Sequence, residues 1–157
     1  MIGLAEARYF MDFHHESVLL DEVIEFFAAS KPSVLVDCTL GGAGHSRALL
    51  EAIDGLHLIG IDRDPTAIAI ATERLAIFGQ RVRIVQAPFS EVNSVLEELG
   101  VAGVDGILAD FGVSSHQIDT PGRGFSFRYD GPLDMRMNPN DGVPAWELLE
   151  SISLEDL

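Results

Sequence analysis

Val34-Leu35-Val36-Asp37-Cys38-Thr39-Leu40-Gly41-Gly42-Ala43-Gly44-His45-Ser46 decides the fold. The apolar run at its start reads as a buried strand, and an acid, Asp37, closes it. A glycine-rich turn follows, and after it the helical pattern Arg47-Ala48-Leu49-Leu50. Strand, glycine turn and helix in that order bring the backbone of an open α/β sheet close to a cofactor.

Upstream, residues 18–29 carry apolar side chains at helical spacing, with Ser17 placed to cap the helix, and Lys31-Pro32-Ser33 ends it. Downstream, Asp54-Gly55 is a turn and residues 56–61 are a second strand running into Asp62. Asp64 followed by Pro65 is a strong helix start. Ile68, Ala71, Leu75 and Phe78 share one face of that helix, and Gly79 closes it. Residues 82–86 are a third strand. Ser90 is expected to cap a helix that buries Val92, Val95, Leu96 and Leu99 and stops at Gly100. Residues 104–110 are a fourth strand, again ending in an acid, Asp110. Alternating strands and helices imply right-handed crossovers and a parallel sheet. Winding it like a dinucleotide-binding half gives a Rossmann-like α/β fold of strand order 3-2-1-4, with the ligand above the ends of strands 1, 2 and 4.

The 157 residues suffice for one ordinary domain with a core, and mean hydropathy of +0.22 argues against disorder. No apolar run reaches the roughly 18 residues that span a bilayer, and the first residues lack a signal-peptide pattern. A single cysteine, Cys38, excludes an intramolecular disulfide and a cysteine-based zinc cluster. His14, His15, His57 and His116 show no metal-ligand spacing, so no metal is expected. These features fit a cytoplasmic protein without membrane attachment. The charge pulls another way: 25 acids against 10 Lys and Arg give −15, whereas phosphate contacts dominate nucleic-acid affinity. Composition therefore argues against an RNA or DNA partner unless a local basic patch or a further segment supplies one.

Three acids, Asp37, Asp62 and Asp110, fall at strand ends, where a carboxylate is far cheaper than inside a sheet. Asp62 lies about 20 residues past the glycine turn, the spacing at which an acid accepts ribose hydroxyls, so a nucleoside is expected in the ligand. Glycines at 41, 42 and 44 do not match the Gly-x-Gly-x-x-Gly of a pyrophosphate site, which disfavours a nicotinamide-dependent oxidoreductase. An acid before the turn suits a cationic ligand instead. S-adenosylmethionine carries an ammonium, a sulfonium and one carboxylate; Asp37 or Asp110 would face the cations and the helix N-terminus the carboxylate. From spacing alone, His45 reads as an ordinary helix-start residue and Phe89 as a core aromatic.

Several segments together resemble the MraW/RsmH family of S-adenosylmethionine-dependent small-subunit ribosomal RNA methyltransferases. They are His15-Glu16-Ser17-Val18-Leu19-Leu20, residues 37–46, Ile61-Asp62-Arg63-Asp64-Pro65 and Ala87-Pro88-Phe89-Ser90. Three more follow: residues 104–115, Arg123-Gly124-Phe125-Ser126-Phe127, and Asp130-Gly131-Pro132-Leu133-Asp134-Met135-Arg136-Met137. The resemblance implies a class I methyltransferase fold and methyl transfer to the exocyclic N4 amine of a cytidine, with small-subunit ribosomal RNA or the assembled small subunit as partner. Carried over by motif, the cofactor contacts are Ala43, Gly44, His45, Asp62, Phe89, Asp110 and Gln117, with Asp110 also catalytic. Ala43 stands where many relatives have glycine, and Phe111 where leucine is usual.

The resemblance divides the chain into a cofactor-binding part, residues 1–115, and the start of an inserted substrate-recognition region, residues 116–157. Relatives continue further, through a helical insertion and a late Ser-Phe-His-Ser segment. This chain is therefore expected to be a truncated form, and a cofactor-binding fragment without activity is the alternative to a working enzyme. An apolar fourth strand left at the sheet edge would favour a homodimer through that edge.

Overall fold

The computed structural model describes residues 17–156. Four parallel strands, β1 (Val34–Asp37), β2 (His57–Asp62), β3 (Val82–Gln86) and β4 (Gly106–Leu108), form one sheet in the order β3-β2-β1-β4. This is the topology expected above. The central strands alternate between two apolar layers, as strands covered on both faces must. Leu35 and Leu58 face α1 (Leu20–Ser30), α2 (Gly44–Ala52) and α3 (Pro65–Leu75), packing with Phe27, Leu49, Leu50, Ala71 and Leu75. Val36, Ile59 and Ile61 face the other way, toward Val95 of α4 (Val92–Glu98). Most of these side chains are nearly free of solvent, so truncating any of the leucines to alanine costs about 2–5 kcal/mol.

Local sequence accounts for several element ends. Asp64 caps α3 by accepting the Thr66 amide at 2.9 Å, with Pro65 in the first turn, as expected. Gly79, at φ +53°, permits the kink after which the chain enters β3. Two expected caps are not made. Ser17 does not cap α1: the helix starts later, at Leu20, because the Val18 carbonyl is drawn to His45 Nε2 at 2.9 Å. Ser90 does not cap α4 either; Phe89–Glu91 forms a short 3₁₀ turn, closed by the Glu91 amide on the Pro88 carbonyl, before the helix begins.

β4 is shorter than its apolar run because side chains replace the ladder at both ends. The Asp105 carboxylate accepts the Ser33 and Val34 amides at 2.7 and 2.9 Å, and the Asp110 amide donates to Thr39 Oγ1 at 2.7 Å. After β4 the chain is not irregular throughout. Ser114 and Gln117 form a reciprocal capping box that starts α5 (Ser115–Asp119), and α6 (Ala145–Ser151) follows further on.

Gly60 of β2 pairs with Asp37, directly below the glycine turn. A β-carbon there would lie 2.7 Å from Leu40 Cδ2 and 3.2 Å from its Cγ, and Leu40 is buried. Gly60→Ala is therefore expected to overpack the turn and cost about 1–3 kcal/mol, read as a lower urea midpoint with an unchanged slope. A wild-type midpoint would show that the turn yields freely.

Candidate functional site

The strand ends of β1, β2 and β4 converge on a cleft of about 400 Å³. Its shape begins with Asp37, which is buried beneath the turn. One oxygen accepts the Thr39 amide at 3.1 Å and the other the Ser46 hydroxyl at 2.6 Å, so a single carboxylate ties both ends of the turn together. Burial pushes its pKa up, partly offset by those two hydrogen bonds. Asp37 is therefore not in the cleft wall; of the two acids expected to face a cationic ligand, Asp37 or Asp110, only Asp110 lines it. The carboxylate that is needed to hold the turn's two ends points into the protein.

Between those ends the chain turns tightly. Gly41 has φ +50° and Ala43 φ +62°, both left-handed. Ala43 is buried, its amide donates to the Leu40 carbonyl at 2.7 Å, and it does not line the cleft. The neighbouring Gly41, Gly42 and Gly44 do. At Gly44 a β-carbon would collide with the Ser17 hydroxyl, so glycine there lets the segment before α1 close over the turn. His45 also lines the cleft, and its Nε2 bond to Val18 holds that same segment in place.

Asp62 lies in the wall with both oxygens already engaged: Oδ2 accepts the Gly41 amide at 2.8 Å and Oδ1 the Asp64 amide at 2.9 Å. Each carboxylate oxygen keeps a further lone pair for a ligand hydroxyl. Burial raises its pKa, against the lowering effect of those two amides. Two residues on, burial would also raise Asp64, but hydrogen bonds from Gln117, Arg123 and Thr66 outweigh it and hold that carboxyl below the ordinary carboxylate range.

Asp110 is exposed at the opposite wall. Gln117 is buried in the wall, with Nε2 on Asp64 at 2.9 Å and Oε1 accepting the Ser114 amide at 3.0 Å. Phe89 is not a core aromatic; it is 49% exposed at the cleft mouth, edge-on to Phe111 with ring centroids 5.3 Å apart. These rings follow β3 and β4, which lie three strand spacings apart, roughly 14 Å. Both rings line the cleft. Of the seven residues expected at the cofactor, the structure brings all but Ala43 to one cleft. Val18, Phe111 and Met137 also line it; nothing in their local spacing marks them, because the fold alone brings them there.

The donor set fits a nucleoside-containing cation better than a pyrophosphate. Two carboxylates, Asp62 and Asp110, line the cleft, and among the described lining residues Arg63 is the one Lys or Arg.

Residues 12–157 match the MraW methylase family. The chain belongs to that family. It is 54% identical to the ribosomal RNA small subunit methyltransferase H of Geotalea uraniireducens, over 93% of this chain and 47% of the relative. With the enzyme of the same name from Geobacter sulfurreducens it shares 54% identity, over 94% of this chain and 48% of that one. The chain thus spans about half the length of the curated relatives it matches. Solved structures similar in fold include an SAH-bound methyltransferase of Podospora anserina (TM-score 0.53, 19% identity, 62% of this chain and 42% of that one). Another is the O-methyltransferase TomG of Streptomyces achromogenes in complex with SAM (TM-score 0.53, 17% identity, 78% of this chain and 55% of that one). The likeness to these methyltransferases is one of fold, the Rossmann-like parallel sheet that the alternation of strands and helices implied.

Asp37→Asn tests the buried tie. Asparagine keeps an acceptor for Thr39 and a group for the Ser46 hydroxyl but carries no charge. A carboxyl whose folded pKa is raised loses stability as pH rises from its ordinary value, 3.8, through the folded value. The stability of Asp37→Asn relative to wild type is therefore expected to improve between pH 4 and pH 7, measured by urea denaturation at each pH. A difference that is constant across that range, or moves against Asn, contradicts the assignment.

Proposed function

We propose that this chain is the cofactor-binding half of an S-adenosylmethionine-dependent ribosomal RNA methyltransferase acting on the N4 amine of a cytidine in the small subunit. The observation that carries the reading is the cleft: a glycine turn and a ribose-spaced acid on one side, and Asp110 on the other. Family membership supports the methylation of small-subunit ribosomal RNA, and the choice of N4 rests on the resemblance to the MraW/RsmH family. When bound, S-adenosylmethionine supplies an electrophilic methyl group on sulfur.

The chain's own residues position and desolvate. Asp62 accepts ribose hydroxyls through the lone pairs left by Gly41 and Asp64. Phe89 flanks the adenine, and the backbone of Gly41, Gly42 and Gly44 lets the ligand approach closely. His45 and Gln117 act chiefly by fixing the walls, since their polar atoms already bond Val18, Asp64 and Ser114. Ala43 serves by its left-handed backbone. A cytosine amine is a poor nucleophile because its lone pair is delocalised into the ring. Asp110 accepts its hydrogens, orients it in line with the methyl group, and takes up the proton that must leave. The target base has to be exposed or flipped to reach the cleft. With a net charge of −15 this half offers little to a phosphate backbone. The reading therefore assigns most RNA contacts to the substrate region that begins near residue 116 and to the part of the relatives this chain does not span.

In the full-length protein, Asp110→Ala is expected to lower methyl transfer to small ribosomal subunits by more than about 100-fold. Mass spectrometry of nucleosides from the wild-type reaction is expected to show N4-methylcytidine. Near-normal turnover in the variant removes Asp110 from the mechanism, and a methyl group on ring carbon or ribose overturns the choice of amine.

A further inference from the structure

Asp64 does more than cap α3. Its Oδ1 accepts the Thr66 amide, the ordinary duty of an N-cap, but Oδ2 accepts Gln117 Nε2 at 2.9 Å and Arg123 Nη1 at 2.7 Å. The ion pair is enclosed, with Arg123 11% and Asp64 3% exposed. Arg123 then donates through Nη2 to the carbonyls of Arg136 at 3.0 Å and Met137 at 2.7 Å. One rigid guanidinium fork therefore joins the β2–α3 turn to a segment lying beyond residue 130.

That segment is a built strap. The Met135 amide donates to the Arg123 carbonyl at 3.0 Å. A β-carbon at Gly124, where φ is +78°, would meet the Pro132 carbonyl, and one at Gly131 would meet that of Pro121. Residues 121–124 and 131–135 thus lie backbone against backbone. The amides of Ala145 and Trp146, donating to the Asp134 and Leu133 carbonyls, join the strap to α6.

The strap reaches the cleft at both ends, through Gln117 and Met137. On the other side of Asp64, its own amide donates to Asp62, which also holds Gly41. A continuous hydrogen-bonded path therefore runs from the glycine turn through Asp62 and Asp64 to Arg123 and Met137.

We infer that Arg123 is a positioning residue for the cleft: by clamping residues 117–137 onto the β2–α3 turn, it links the order of the strap to occupancy by an adenosine-containing ligand. It acts through Asp64 and the Met137 carbonyl and touches no ligand itself. The inference rests on the reading of the cleft as an S-adenosylmethionine site. Without the guanidinium, Asp64 is left buried with its countercharge gone, and the Arg136 and Met137 carbonyls lose their donor. Linkage is reciprocal: if strap order favours the ligand, the ligand must favour strap order by the same factor.

The test is hydrogen exchange and calorimetry on the chain with S-adenosylhomocysteine, a non-reacting product form, for wild type, Arg123→Ala, Arg123→Lys and Arg136→Ala. Arg136 pairs with Asp134 inside the strap at 2.7 Å and does not reach Asp64 by its side chain, so it controls for general loosening. In wild type the ligand is expected to slow exchange across residues 121–137 by about tenfold or more, within the usual range of coupling. Arg123→Ala is expected to lose that slowing and bind about tenfold more weakly, with Arg136→Ala within about twofold of wild type. Should Arg123→Ala fail to fold by circular dichroism, Arg123→Lys carries the test. It keeps a charge beside Asp64 but cannot span both carbonyls, and it is expected to weaken binding in the same sense. Wild-type affinity in the folded Arg123 variants overturns the inference, as does an equal loss in Arg136→Ala. A wild-type chain that binds no S-adenosylhomocysteine fails differently: it overturns the reading of the cleft, and the linkage with it.

Discussion

A buried carboxylate that ties the two ends of a glycine turn is the constraint on which the rest of this structure depends. Asp37 sits at the end of β1, where the sheet would otherwise have to bury an unpaired charge. The Thr39 amide two residues on and the Ser46 hydroxyl nine residues on satisfy it. Because one partner precedes the turn and the other lies in the first turn of α2, the loop between them has little freedom. Its left-handed residues at 41 and 43 turn the chain so that Gly41, Gly42 and Gly44 line the cleft, and Leu40 drops onto Gly60 beneath. The turn is thus held from below by the hydrogen bonds of a buried carboxyl and from the side by packing.

The acids at the end of β2 show how environment divides labour between like residues. Asp62 and Asp64 are two positions apart, and burial pushes both upward. Asp62 meets backbone amides and stays raised; Asp64 meets side-chain donors as well, Gln117 and then Arg123, and is lowered. The first is left able to accept hydrogen bonds from a ligand, while the second is committed to structure. This difference between two neighbouring carboxylates follows from which groups the fold delivers to each, because their sequence surroundings are nearly the same.

Much of the fold was legible in the sequence because its signals are local. β1 and β3 have the expected bounds, and Asp64-Pro65 starts α3 as its chemistry demands. Parallel order followed from alternation of strand and helix. Where the structure differs, contacts that no single segment displays have taken over from the expected local ones at α1 and β4, whereas at Ser90 a local 3₁₀ turn precedes the helix. Ser17 does not cap α1, since His45 draws the Val18 carbonyl toward α2. β4 is shortened where Asp105 and Thr39 replace ladder bonds. Of the two strand-end acids expected to face a cation, Asp37 or Asp110, Asp37 has both its partners inside the protein. The capping box at Ser114 and Gln117 was readable in principle from its spacing, yet the glycine-rich stretch around it hid so short a helix. Arg123 meeting Asp64, and Phe89 meeting Phe111, are products of topology alone. No local spacing predicts a contact between residues 59 positions apart or between rings that follow opposite edges of a sheet.

The central claim is that this cleft is built for S-adenosylmethionine. Isothermal titration of the chain with S-adenosylmethionine, alongside NAD and an Asp62→Ala variant, tests it most directly. The account predicts one-to-one binding of S-adenosylmethionine, no heat with NAD, and about tenfold or greater weakening in the variant, the loss expected for charge-assisted hydrogen bonds to the ribose. A folded chain that takes up NAD in preference to S-adenosylmethionine, or binds neither, or binds S-adenosylmethionine equally well without the Asp62 carboxylate, would contradict it.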